Sequence, residues 1–188
     1  MGLTSVEAVR QFLETSSNDA EEKKLLEVLI ARVSAAISNY THREFEPTED
    51  ERRVFAHPGG KFVDLAPYDV RTVETVEVGT ENASPTTLGS ADYALRPLPS
   101  REGVYQRIRL GAAPQGACEI AVKGDWGFAE VPADVEHAAI TTIALWLRRE
   151  VQAFERTFSL DQEFLEKPEA LPSAVRGILA PYRRPPLP

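Results

Sequence analysis

The hydrophobic period of this chain changes twice, and the second change is abrupt. Lys123-Gly124-Asp125-Trp126-Gly127-Phe128 reads as a strand end running into a Trp-bearing glycine turn. Val131-Pro132-Ala133-Asp134-Val135 follows at once and opens a long apolar helix. A helix can start on proline, because the N–H that proline lacks would be unbonded there anyway. A chain that passes so directly from alternating to helical pattern must carry a mixed architecture.

Upstream the pattern is helical. Thr4-Ser5-Val6-Glu7 fits a capping box, so a first helix is expected from Thr4, with Val6, Val9, Phe12 and Leu13 on one face. Ser16-Ser17-Asn18-Asp19 breaks it and offers a cap to a second helix over Ala20–Tyr40. Leu26, Leu29, Ile30, Val33, Ile37 and Tyr40 form its stripe. Ala31, Ser34, Ala35, Ala36 and Ser38 are small enough for a neighbouring helix to approach. Glu44–Glu51, with Pro47, reads as an exit loop.

From Arg52 the period shortens. Arg52–Ala56 and Phe62–Leu65 flank the turn His57-Pro58-Gly59-Gly60. Val73–Val78 alternates, Gly79–Pro85 reads as loop, and Tyr93–Arg96 is a short strand. In Tyr105–Leu110, Ile108 and Leu110 oppose Arg107 and Arg109. Cys118, Ile120 and Val122 then oppose Glu119 and Lys123. Downstream, a third helix is expected over Pro132–Ala153, with the stripe Val135, Ala138, Ala139, Thr142, Ile143 and Trp146. Asp134 and Glu136 sit in its first turn, where the helix dipole favours anions. Phe154–Leu171 reads as a long loop or short helix, and Pro172 opens a last helix to about Ala180. Tyr182–Pro188 is too proline-rich for helix and is expected to extend.

The expected fold is therefore α+β: a small helical core of about four helices with an inserted antiparallel β-subdomain of about five or six short strands. The boundaries are 1–51 for the first helix pair, 52–127 for the insertion, 128–181 for the closing helices and 182–188 for the tail. Trp126, Pro132 and Trp146 are the expected structural anchors.

Composition narrows the function. The 188 residues are 43% hydrophobic and 27% charged, an ordinary globular balance. One cysteine, Cys118, allows no intrachain disulfide, and no apolar run of about 18 residues exists to span a membrane. Glu7, Arg10 and Glu14 interrupt the N-terminal apolar residues, unlike a signal peptide. The net charge is −8, and residues 1–51 hold 11 acids against 5 bases. Such a surface opposes wrapping nucleic acid, whose binding draws on neutralised phosphates, yet it lets DNA slide past.

No catalytic constellation stands out. His42, His57 and His137 have no metal-ligand spacing. His57, Asp64 and Asp69 offer a His–carboxylate set for a hydrolase, but no nucleophile in a glycine-flanked turn joins them. Asp161, Glu163, Glu166 and Glu169 form a solvated charge run without calcium-loop order. Gly124–Gly127 lacks the lysine and spacing of a phosphate loop. Cys118 is expected in the core.

The element order and four of these segments resemble the head–tail connector proteins of tailed bacteriophages and prophages, also called head-completion or adaptor proteins. The segments are Thr4–Tyr40 ending in Ile37-Ser38-Asn39-Tyr40-Thr41-His42-Arg43, and Val122–Gly127 ahead of Val131–Val135. They continue with the Ala-rich Glu136–Glu150 and close with Leu171–Arg184. The insertion departs from smaller members, which are almost wholly helical. The resemblance implies a structural virion protein, made in the host cytoplasm and placed at the head–tail interface. There it would form a dodecameric ring beneath the portal, extend the DNA channel and dock the stopper or tail. The implied partners are the portal protein, a stopper or tail-completion protein and further copies of the chain. DNA would pass without sequence-specific binding, and no enzyme activity, cofactor, metal or membrane is implied. Tyr182, Arg183, Arg184, Pro185 and Pro186 would then reach the portal. The alternatives are a stopper or tail-completion protein and, further off, a small hydrolase using the β-insertion.

Overall fold

Helix α1 spans Val6–Phe12, and Ser5 rather than Thr4 caps it: the Ala8 amide donates to Ser5 Oγ at 3.1 Å. Thr4 is taken elsewhere, its hydroxyl donating to Glu136 Oε1 at 3.1 Å. The cap therefore moves one residue, and Glu7 does not close a capping box. Helix α2 covers Ala20–Thr41, capped by Asp19 and ended by His42 in the left-handed conformation. Helix α3 covers Ala133–Arg156, and α4 covers Ser173–Leu179 before a 3-10 turn at Ala180–Tyr182. The structure is a computed structural model that describes residues 2–15, 19–80, 83–97, 103–114, 116, 118–156 and 171–184. The acidic run from Asp161 to Glu169 and the prolines from Pro185 onward lie outside these residues.

The chain divides into two units, Met1–His42 with Pro132–Pro188, and Arg43–Val131. In the helical unit α2 packs on α3, α1 on both, and α4 on α3. Leu26, Leu29, Val33 and Ile37 of α2 are buried, as are Val135, Ala138, Ala139 and Ile143 of α3. Trp146, at the end of that stripe, is half-buried. Each large apolar side chain so buried contributes about 1.5–3 kcal/mol.

The described residues of the β-unit hold seven strands: β1 Thr48–His57, β2 Phe62–Asp64, β3 Val70–Thr80, β4 Ala83–Thr87, β5 Tyr93–Arg96, β6 Arg107–Leu110 and β7 Cys118–Trp126. They pair antiparallel in two sheets, ordered β1-β7-β3-β4 and β2-β6-β5. The α+β class follows as expected, with one strand more than the sequence pattern yields. The extra strand is β4, part of which reads as loop. Its residues Ser84–Thr87 are all exposed, so it has no apolar alternation; backbone pairing to β3 alone defines it. Pro85 is tolerated because β4 is an edge. Likewise Thr48–Glu51, an expected loop, belongs to β1.

The inner faces of both sheets meet in one core, built from Phe55, Val63, Val76, Ile108, Ile120, Val122 and Trp126 among others. Strand β7 lies between β1 and β3 and runs through Gly124. A Cβ on Gly124 would collide with the Thr72 carbonyl oxygen, so only glycine lets the strands approach there. Gly127 follows at φ +71, and a Cβ on it would meet the Glu46 carbonyl oxygen. Gly127→Ala is expected to cost about 1–2 kcal/mol for the left-handed backbone alone and more for the collision. Urea unfolding followed by tryptophan fluorescence measures this, and an unchanged midpoint refutes the close approach.

Candidate functional site

Polar chemistry in the β-unit concentrates where the chain enters and leaves it. Arg43 is its first residue, 2% exposed, and its Nε donates to Asp69 Oδ2 at 2.9 Å; Asp69 is fully buried. The guanidinium carbon lies 4.9 Å from the Phe128 ring centroid and 5.9 Å from that of Phe45. These two rings stack at 5.2 Å. Main-chain bonds join the same segments: Gly127 N–H donates to Asp69 O at 2.8 Å and Phe128 N–H to Phe45 O at 3.1 Å. The arrangement is a closed clasp around a buried charge pair.

The anchor Trp126 is 1% exposed, and its indole N–H donates to the Glu51 carbonyl at 2.8 Å. Phe55 and Tyr68 ring it at centroid distances of 5.7 and 6.1 Å. Arg53 lies over Tyr68 at 3.7 Å and also pairs with Glu51 at 2.7 Å. Pro132 stands just ahead of α3, and its carbonyl accepts the Glu136 amide at 2.9 Å.

On the other face of the larger sheet, Lys123 bridges Asp50 at 2.8 Å and Glu74 at 2.7 Å. Those two hydrogen bonds, Asp50 first, push its ammonium well above the ordinary value of 10.5. Asp125 accepts the Thr72 hydroxyl at 2.7 Å and the Asp50 amide at 3.1 Å. The Thr72 bond, then the Asp50 amide, holds its carboxyl below the ordinary 3.8.

The hydrolase candidates do not assemble. The His57 Nε2–H donates to the Gly60 carbonyl at 3.2 Å, inside its own turn. Asp64 accepts from Arg107 at 3.0 Å and from the Ala66 amide at 2.9 Å, while Asp69 is held by Arg43. Cys118 is buried in the core, and burial pushes its thiol up, away from a reactive thiolate. A depression of about 150 Å³ lined by Asp92, Tyr93, Ala94 and Arg109 falls well short of an ordinary ligand pocket. His42 caps α2, and His137 meets Phe12 edge-on at 6.3 Å. Among the described residues no cluster of His, Cys, Asp and Glu is placed to hold a metal.

The expected portal residues fall into two groups. Tyr182 closes the 3-10 turn, and its hydroxyl donates to Asp134 Oδ1 at 3.0 Å. Arg183 is exposed, with its guanidinium 5.5 Å from the Tyr40 ring centroid. Arg184 is 6% exposed, and its amide donates to the Thr41 carbonyl at 2.9 Å. These three pack on their own helical unit; Pro185 and Pro186 lie outside the described residues. Sequence reasoning could not see this docking, because the partners on α2 and α3 are remote in the chain.

The polar groups gathered at the root of the β-unit hold its own chain segments together. The head completion protein family matches residues 2–185, and the chain belongs to that family. No curated protein sequence matches significantly. Among solved structures, its fold is similar to a chain in the virion of a native gene transfer agent particle, at TM-score 0.59 and 19% identity over 98% of this chain and 91% of that one. A chain in the neck of the empty particle, computed with C6 symmetry, matches at TM-score 0.58 and 17% identity, again over 98% and 91%. One in the neck of the native particle, computed with C12 symmetry, matches at TM-score 0.54 and 19% identity over 97% and 89%.

The clasp and the ionic lattice each have a measurable consequence. Asp69→Ala takes the carboxylate away from a buried guanidinium and is expected to cost about 3–5 kcal/mol. The double change Arg43→Met with Asp69→Leu should recover much of that, and chemical denaturation distinguishes the two. Asp125 has a lowered carboxyl, so its contribution is present above 3.8 and fades as pH falls through the depressed value. Asp125→Asn should therefore lower the melting temperature at neutral pH, with the gap to wild type closing in acid; a gap independent of pH would refute the assignment.

Proposed function

We propose that the protein is a head–tail connector, a structural part of a phage-type particle that acts by assembly and not by catalysis. The observation that carries this reading is the family match through residue 185, joined to a fold shared with neck chains over nearly the whole length. In this reading, copies stand side by side as a ring beneath the portal, twelve-fold in the particle. They extend the DNA channel and offer the lower surface to a stopper or tail. The acidic balance of −8 suits a conduit that DNA crosses without sticking.

The docked C-terminal segment refines how the chain would reach the portal. Tyr182–Arg184 contribute to the helical unit, so the reaching arm starts at Pro185, with exposed Arg183 at its root. Arg183 then pairs with acidic groups of the portal, and the prolines reduce the ordering cost on docking.

Light scattering and negative-stain imaging, on the protein alone and with its portal protein, test the reading. A ring, or assembly that depends on the portal, is expected; a monomer indifferent to the portal would overturn it. A chain ending at Arg184 should melt like wild type and bind the portal at least roughly tenfold more weakly. A chain ending at Pro181 should also melt lower, because it loses the Tyr182–Asp134 bond and buried Arg184. Full portal binding by the first truncation would remove the arm from the mechanism and leave the ring intact.

A further inference from the structure

The smaller sheet has a face that the connector reading leaves unused. Its register aligns Phe62, Arg109 and Ala94 in one row, and Asp64, Arg107 and Arg96 in the next. Between these rows Val63, Ile108 and Leu95 turn into the core, so both rows face outward. In a chain of charge −8, these two rows carry three arginines against one aspartate, with Asp92 at their edge accepting the Gly89 amide at 3.0 Å. Asp64 is engaged with Arg107 at 3.0 Å. Arg109 is exposed and has no hydrogen-bond or ion-pair partner among the described residues. Beside it Phe62 is 57% exposed, the most exposed of the large apolar side chains described.

We infer that this outer face, centred on Phe62 and Arg109, docks a second copy of the chain in a head-to-tail contact. The inference rests on the connector reading and names the surface that would build its ring. Aromatic and arginine side chains without lysine or glutamate are the composition of a protein interface core. DNA fits less well, since three arginines neutralise few phosphates while the rest of the chain repels the duplex. A second copy supplies the acidic counter-surface through its own surplus, most of it in residues 1–51. Two identical basic faces would set arginine against arginine, so the contact cannot be two-fold symmetric. It must join this face to a different surface of the next copy, which is the kind of contact that closes into rings.

The test compares wild type with Phe62→Ser, Arg109→Glu and the double variant, alone and with the portal protein, by mass photometry and negative-stain imaging. Far-UV circular dichroism and melting check the fold; both side chains are exposed, and the single variants serve if the double one misfolds. The double variant is expected to raise the concentration for ring assembly by roughly tenfold or more. Added salt should weaken wild-type assembly in the same direction. A minor fraction of Arg109→Glu protein should also block ring closure by wild type, since it joins through one surface only. Rings of the double variant at wild-type concentrations would overturn the inference and leave the connector reading standing. So would a variant that assembles normally but loses retention of a DNA duplex in a gel-shift assay. Absence of wild-type rings both alone and on the portal would overturn both.

Discussion

Arg43 gives up its water at the first residue of the β-unit, and everything the insertion does afterwards depends on that charge being satisfied. The Asp69 carboxylate meets it at 2.9 Å, and the faces of Phe128 and Phe45 lie within 6 Å or so of its carbon. A lysine could not substitute, because the planar guanidinium stacks on rings and donates in its own plane at the same time. Asp69 is used twice: its side chain holds the incoming segment, and its carbonyl accepts the outgoing Gly127 amide. Asp69 is thus the hinge pin of both ends.

An insertion whose ends are tied to each other asks little of its host. Phe45 and Phe128 share a main-chain bond and a ring stack, so the β-unit closes its own root. Gly127 makes this possible, since any side chain there would strike the Glu46 carbonyl. The sheets then manage their exposed edges by chemistry. Edge strand β4 carries Pro85 and no buried side chain among Ser84–Thr87, while edge strand β1 carries Glu49, Asp50, Arg52 and Arg53. Prolines and charges at such positions discourage indiscriminate strand addition.

What could be read from the sequence was whatever has a local period. The stripe Val135–Ile143 and the alternation Arg107–Leu110 are buried or exposed as their spacing requires, because one element and one apolar medium decide them. Strand β4 was illegible because nothing in Ala83–Thr87 is amphipathic; its identity comes from its partner. The capping of α1 by Ser5 instead of Thr4 turned on Glu136, far along the chain. The clasp was hidden for the same reason. Arg43 carried no signal of its own beyond closing the segment Ile37–Arg43, and Asp69 read as a possible catalytic acid. Only the fold shows that each exists for the other. Arg107 and Arg109 were legible as one exposed side of a strand, yet their union with Arg96 and Phe62 required the strand register.

The failure of His57, Asp64 and Asp69 to assemble, and a basic face in an acidic chain, belong to the same physical logic. A catalyst concentrates its free energy in a few groups aimed at one small volume. A ring component divides it among copies, so no single contact has to be strong. Two free copies lose translational and rotational freedom when they meet, and a modest surface barely offsets that loss. On a symmetric platform the copies are already held at high effective concentration, and the contact that closes the ring joins surfaces that are already in place. In the proposed ring, a weak lateral surface would favour assembly where copies are already gathered. The charge balance of −8 adds to this restraint, because free copies of like net charge repel one another.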